Sequence, residues 1–175
     1  MKNYKMANKG AALEREVELA NLAYKRKGIA LVQKIATPWK VVQRGNYLHA
    51  FPKEKSTLDF RGTIKNGISI SFDCKESEND KGLPLQHIQP HQITYIRDAI
   101  QVGEITFILC FMKKESKRYL IPGKIVIDYW DAWQKNKGKR GYNTIYTQDM
   151  IQVVSRDGII LDYIRGLEEY ICKSK

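Results

Sequence analysis

Apolar residues in the first part of the chain recur at helical spacing. Leu13, Val17, Ala20 and Tyr24 share one stripe that ends at Gly28, which predicts a helix from Gly10, with Glu14 at the stripe's margin and residues 1–9 a polar, basic arm. IALVQKI (29–35) reads as a strand. Residues 37–55 break the rhythm with prolines and aromatics among Lys40, Arg44, Lys53 and Lys55, and read as a protrusion rather than core. TLDFRGTI (57–64) and ISISFDCK (68–75) then flank Lys65-Asn66-Gly67, a strong hairpin signal. In the second arm Ile68, Ile70, Phe72 and Cys74 alternate with Ser69, Ser71, Asp73 and Lys75, so the two sets face opposite ways.

Beyond a polar loop at 77–83, residues 86–101 read as a helix with Pro90 in its first turn or interrupting it. EITFILCFM (104–112) is a buried strand, KRYLIP (117–122) a shorter one, and Gly123 to Asn136 a helix carrying Ile127, Trp130 and Trp133 on its core side. A basic loop (Lys135 to Arg140) and a short extended piece lead to a last amphipathic helix at about 158–172, with Ile160, Tyr163, Ile164, Leu167 and Ile171. Helix, strands, helix, strands and helices in that order predict one α/β domain over 1–175, built on a central mixed sheet flanked by helices.

Charge narrows the partners. Thirty Lys and Arg against 19 Asp and Glu give a net charge of +11, an excess that favours a polyanion, most often nucleic acid. A membrane surface is the rival, but no long basic amphipathic helix is evident, and no apolar run approaches the roughly 20 residues of a span. The odd cysteine count (Cys74, Cys110, Cys172) and the lack of an apolar segment in MKNYKMANKG predict reduced thiols and a cytoplasmic setting. His49, His87 and His91 are too scattered for a zinc site.

The hairpin carries the candidate chemistry. With a three-residue loop Ile64 pairs with Ile68, and Asp59 then stands opposite Asp73, Cβ to Cβ about 5 Å. A two-residue Asn-Gly loop would instead send the acids to opposite faces. Two carboxylates that close repel unless a divalent cation bridges them. Asp59 and Asp73 would be its ligands, the Cys74 carbonyl a third, and Glu14 a further carboxylate, while Lys75 positions water or offsets charge. The bland alternative is a solvated strand face with a weak Asp73–Lys75 ion pair.

The arrangement Asp59…Asp73-x-Lys75 resembles the PD-(D/E)XK nuclease motif, with Asp where Glu is usual. GAALERE (10–16), TLDFRG (57–62), FDCKES (72–77), LPLQHIQPHQ (83–92), IDYW (127–130) and SRDGIILDYI (155–164) resemble, in order and spacing, segments of the RecU Holliday junction resolvases. The resemblance covers roughly residues 8–170. It implies a restriction-endonuclease-like fold and a Mg²⁺-dependent endonuclease, with Mn²⁺ as an alternate metal, that resolves four-way DNA junctions. It implies catalytic roles for Asp59, Asp73, Lys75 and Glu14, with Gln86 and Gln92 supporting the site or contacting DNA. It further implies a homodimer cutting symmetrically, a recombinase partner, and a stalk at 37–55 that enters the junction. That stalk is short, as suits a compact, phage-type member.

On this reading Lys40, Arg44, Lys53 and Lys55 line the junction core, and Trp39 and Tyr47 stack on unpaired bases. Lys113, Lys114, Lys117 and Arg118 form a second basic cluster, and Lys135 to Arg140 a third. Two alternatives stay open. One is a less selective PD-(D/E)XK nuclease; the other is a branched-DNA-binding accessory protein without activity.

Overall fold

The structure, a computed structural model, describes residues 11–36, 39–45, 47–52, 57–137 and 139–173. The chain opens with helix α1 (Ala11–Arg26), strand β1 (Ala30–Lys34), the paired strands β2 (Trp39–Arg44) and β3 (Tyr47–Pro52), and strands β4 (Phe60–Ile64) and β5 (Ile68–Ser77). Then come β6 (Gly82–Pro84), a 3-10 turn at Leu85–His87, helix α2 (Pro90–Gln101), β7 (Ile105–Met112), β8 (Lys117–Pro122) and helix α3 (Gly123–Lys135). Strands β9 (Thr144–Tyr146) and β10 (Ile151–Val153) and helix α4 (Tyr163–Lys173) complete it. Six strands form one mixed sheet in the order β1-β4-β5-β7-β8-β10; β5 and β7 run parallel and the other neighbours antiparallel.

Helices cover both faces. Leu13, Val17, Ala20 and Tyr24 of α1 and Tyr163, Ile164 and Leu167 of α4 pack on Phe60, Phe72, Phe107 and Leu120. Ile93 and Ile96 of α2 and Val126 of α3 pack on Ile108, Cys110 and Ile121 of the other face. This layering explains the long apolar run of β7, which is covered on both sides. Tyrosine hydroxyls lock α1 to the start of α4. Tyr24 donates to Asp162 Oδ1 at 2.9 Å and accepts from the Ile164 N–H at 3.1 Å, and Tyr163 donates to Asn21 Oδ1 at 2.6 Å.

Three expectations change. The helix expected from residue 86 starts at Pro90, because Gln89 and Gln92 form a capping box that fixes Pro90 at the first helical position. The last helix starts at Tyr163 rather than 158. Asp157 (φ 51°) and Gly158 (φ 79°) turn the chain, and Asp162 caps the helix by accepting the Arg165 N–H. Ile160 consequently lies outside that helix and is half exposed. Where a protrusion was expected the chain forms a hairpin: among the described residues β2 and β3 pair only with each other, and Val41, Tyr47 and Leu48 are exposed. Trp130 and Trp133 pack at the margin of the α2–α3 core, edge to face at 5.1 Å.

The edge of the sheet next to the candidate site depends on close backbone approach at Gly62. A Cβ there would meet the Leu31 carbonyl oxygen at 2.3 Å and Val32 Cα at 2.6 Å. Gly62→Ala is therefore expected to push β1 off β4 and cost about 2 kcal/mol, read as a lower urea midpoint with an unchanged slope.

Candidate active site

The turn decides the site. Asn66 (φ 71°) and Gly67 (φ 81°) both take left-handed backbone in a three-residue loop, and Ile64 pairs with Ile68. The ladder runs to Phe60 opposite Phe72. Continuing that register by one residue sets Asp59 against Asp73. The Cys74 N–H donates to Asp59 Oδ2 at 3.0 Å, so the side chain of Asp59 takes over where the β4 ladder stops.

Asp73 is 1% exposed, on the central strand. Its Oδ1 accepts from Gln92 Nε2 at 3.0 Å. Its Oδ2 meets Lys75 Nζ at 2.6 Å and is otherwise without a hydrogen-bond partner. Burial pushes the carboxyl up to about 7; Lys75 opposes that shift, and the neighbouring Asp59 charge reinforces it. A carboxyl this deep with one oxygen unsaturated suits a hard cation shared with Asp59. It does not suit the solvated strand face offered as the bland alternative, because solvent does not reach Asp73.

Gln92 is buried, and both ends of its amide are engaged, Nε2 on Asp73 and Oε1 by the Gln89 N–H at 3.0 Å. The cap that starts α2 thereby also aims Asp73, which favours the supporting role over DNA contact. Gln86 is exposed in the 3-10 turn. The Glu14 carboxylate is held by Lys34 Nζ at 2.5 Å, with Glu18 at 3.6 Å from the same ammonium. Glu14 raises the Lys34 pKa chiefly through that hydrogen bond, with a smaller contribution from the charge of Asp59. Lys34, which sequence reasoning passed over, thus stands between the first-helix acid and the hairpin. Its only signal was its place at the end of β1. Among the described residues no three His, Cys, Asp or Glu side chains converge as a ligand set, so Glu14 is not gathered with the two aspartates.

The basic candidates divide. Lys40 and Arg44 lie on β2, with side chains outside the described residues, as is the side chain of Trp39; Lys53, Lys55 and the arm at 1–9 lie outside them altogether. In the second cluster Lys113 pairs with Glu76 at 2.7 Å, Lys117 with Glu115 at 3.5 Å, and Arg118 with Glu16 at 2.6 Å, so most of its charge is spent within the protein. Cys74 and Cys110 are buried free thiols and Cys172 an exposed one. No described helix is long and apolar enough to cross a membrane.

A mixed sheet between helix pairs, with an Asp…Asp-x-Lys set where its central hairpin leaves the ladder, defines a restriction-endonuclease-like α/β domain. The RecU family, described as Recombination protein U, matches residues 8–169, and the chain belongs to that family. It is 28% identical to the Holliday junction resolvase RecU of Limosilactobacillus reuteri, over 94% of this chain and 84% of the relative. The protein of the same name from Shouchella clausii is 32% identical over 71% of this chain and 63% of its own length. That of Streptococcus pneumoniae is 27% identical over 82% and 74%.

Proposed function

We propose that this protein is a divalent-metal-dependent endonuclease that resolves four-way DNA junctions by paired, symmetric strand cleavage. The observation that carries the reading is the buried Asp73 carboxylate with an unsaturated oxygen, set against Asp59 and beside Lys75. Similarity to proteins named Holliday junction resolvases supports the substrate. Asp59 and Asp73 would hold the ion, Mg²⁺ by preference and Mn²⁺ as an alternate. A strand residue's N–H and C=O project to the same side, so the Cys74 carbonyl faces β4 along with the N–H that Asp59 accepts, and is our third oxygen. When bound, such an ion polarises a phosphoryl oxygen and acidifies a water.

The chain's own residues do the rest. Lys75 pairs with Asp73, opposes the upward shift that burial imposes on its carboxyl, and sets an ammonium beside the reacting phosphate. Gln92 fixes the carboxylate's rotation. Glu14, presented by Lys34, gives a further acid at the margin. The β2–β3 hairpin is the stalk, and a homodimer brings two sites to one junction. Free buried thiols fit a cytoplasmic setting.

The decisive measurement compares a synthetic four-way junction with matched linear duplex, with and without Mg²⁺. Paired symmetric nicks on the junction alone are the expected result. Equal cutting of both substrates points to an unselective nuclease, and tight binding without cleavage in Mg²⁺ or Mn²⁺ to an accessory protein. Deleting residues 40–52 should lower the preference for branched over linear DNA more than it lowers the melting temperature. An unchanged preference removes the hairpin from junction recognition.

A further inference from the structure

We propose that Arg61, fixed by the buried carboxylate of Glu104, grips a phosphate of the bound DNA on the cleavage-site face of the sheet, to the hairpin-turn side of the cut. The inference rests on reading the Asp59–Asp73 face as the cleavage site. Phe60 of β4 is fully buried on the α1–α4 side, so Asp59 and Arg61, one residue either side of it, project to the opposite face. Ile105 pairs with Ile70, so Glu104 lies in the row of Ser69 and draws the guanidinium toward the hairpin-turn end of this face, about four strand residues (~13 Å) from the row of Asp73. Arg61 pairs with Ser71, and Ser71 with Thr106 of β7, so the guanidinium heads a polar row on the same face as Asp73.

That row is under-satisfied. Ser71 Oγ, Thr106 Oγ1 and Glu104 Oε1 are buried without a hydrogen-bond partner. The Glu104 side chain is only 6% exposed and meets Arg61 Nε at 3.3 Å, while its other oxygen accepts from the Tyr95 hydroxyl at 3.3 Å. Burying a carboxylate is costly unless a partner charge compensates it. Here the acid is hidden and the base is 58% exposed. Arg61 meets Glu104 through Nε, and the fork of its half-exposed guanidinium lines an open depression together with Gly67, Ser69 and Glu104. That fork matches two oxygens of a phosphodiester. Lys75 is committed to Asp73 and Lys34 to Glu14 and Glu18. Phosphate binding by this group is independent of base sequence and adds to register on the strand.

The test is junction binding without divalent metal, using four-way junctions that each carry a single methylphosphonate at successive positions near the branch. Wild type should lose about tenfold affinity at one position, and Arg61→Gln should be indifferent to that position. Arg61→Gln should itself bind about tenfold more weakly, with a log–log salt slope shallower by about one. Arg61→Lys keeps the charge that Glu104 needs and should restore the slope but not the full affinity. Wild-type affinity and slope in Arg61→Gln, or an equal methylphosphonate penalty in both proteins, would overturn the inference. If Arg61→Gln does not fold, Arg61→Lys decides: affinity and penalty equal to wild type overturn it, because a monodentate ammonium cannot replace the fork. A wild-type protein that cuts junctions while Arg61→Gln behaves normally defeats this inference and leaves the function standing. Loss of affinity in Arg61→Gln with no cleavage by wild type does the reverse.

Discussion

Asp73→Asn should abolish strand cleavage, by on the order of a thousandfold or more, while junction affinity stays within a few-fold of wild type. The amide can still accept from Gln92 at the place of Oδ1, so the α2 cap should hold. What disappears is the anion that Oδ2 offers to a cation. Normal cleavage by Asp73→Asn, or by Asp59→Ala, removes both residues from the site. The same substitution has a signature in stability. The folded carboxyl titrates near 7 against an ordinary value of 3.8, because burial outweighs Lys75. Between those values the folded protein keeps a proton that the unfolded chain has released. Metal-free stability should therefore fall as pH rises from about 4 to about 7, and Asp73→Asn should flatten that slope. Mg²⁺ should raise the melting temperature of wild type more at pH 8 than at pH 5, and that of Asp73→Asn little at either. A melting temperature insensitive to pH across this range in both proteins would show that Asp73 is not held in the buried state described.

Phe72→Ala carries the largest expected effect on stability. Phe72 is fully buried, stacked between Phe60 at 5.1 Å and Phe107 at 4.6 Å, and touches Tyr163 at 5.0 Å. It ties three adjacent strands to α4 through one ring. Truncation removes the transfer energy and leaves a cavity in a rigid stack, a loss of about 3–5 kcal/mol in a domain whose total is on the order of 5–15 kcal/mol. The variant should lose about a third or more of a mid-range stability and melt well below wild type, and Asp73, the next residue, should be held less firmly in register. Urea denaturation gives the value directly. A loss under about 1 kcal/mol would mean that the stack repacks, and that the sheet does not depend on this ring.

The two effects are linked by pleat. Phe72 and Asp73 point to opposite faces of one strand, so a single register sets both the core and the chemistry. Substitutions on the Phe72 face act on activity through stability. Substitutions on the Asp73 face act on activity directly, and some should leave the fold more tolerant of neutral pH.

Periodicity along the chain determined a good deal: α1 with its Leu13–Tyr24 stripe, the arms of the β4–β5 hairpin, β7, β8 and α3 all lie where local pattern put them. Local pattern works there because each element buries one face or both against the same core. The Asp59–Asp73 pairing was legible only conditionally. Lys65-Asn66-Gly67 allows two loop lengths that differ by one residue of register, and the pairing of Ile64 with Ile68 came from packing, which buries Phe60 and Phe72 together. Tertiary structure alone decided the roles of long side chains. Gln92, open in sequence between supporting the site and contacting DNA, became the support of Asp73, Lys113 and Arg118 were absorbed by Glu76 and Glu16, Lys34 met Glu14, and Arg61 met Glu104. Such contacts join residues far apart in sequence, and their energies depend on burial, which composition and spacing do not encode.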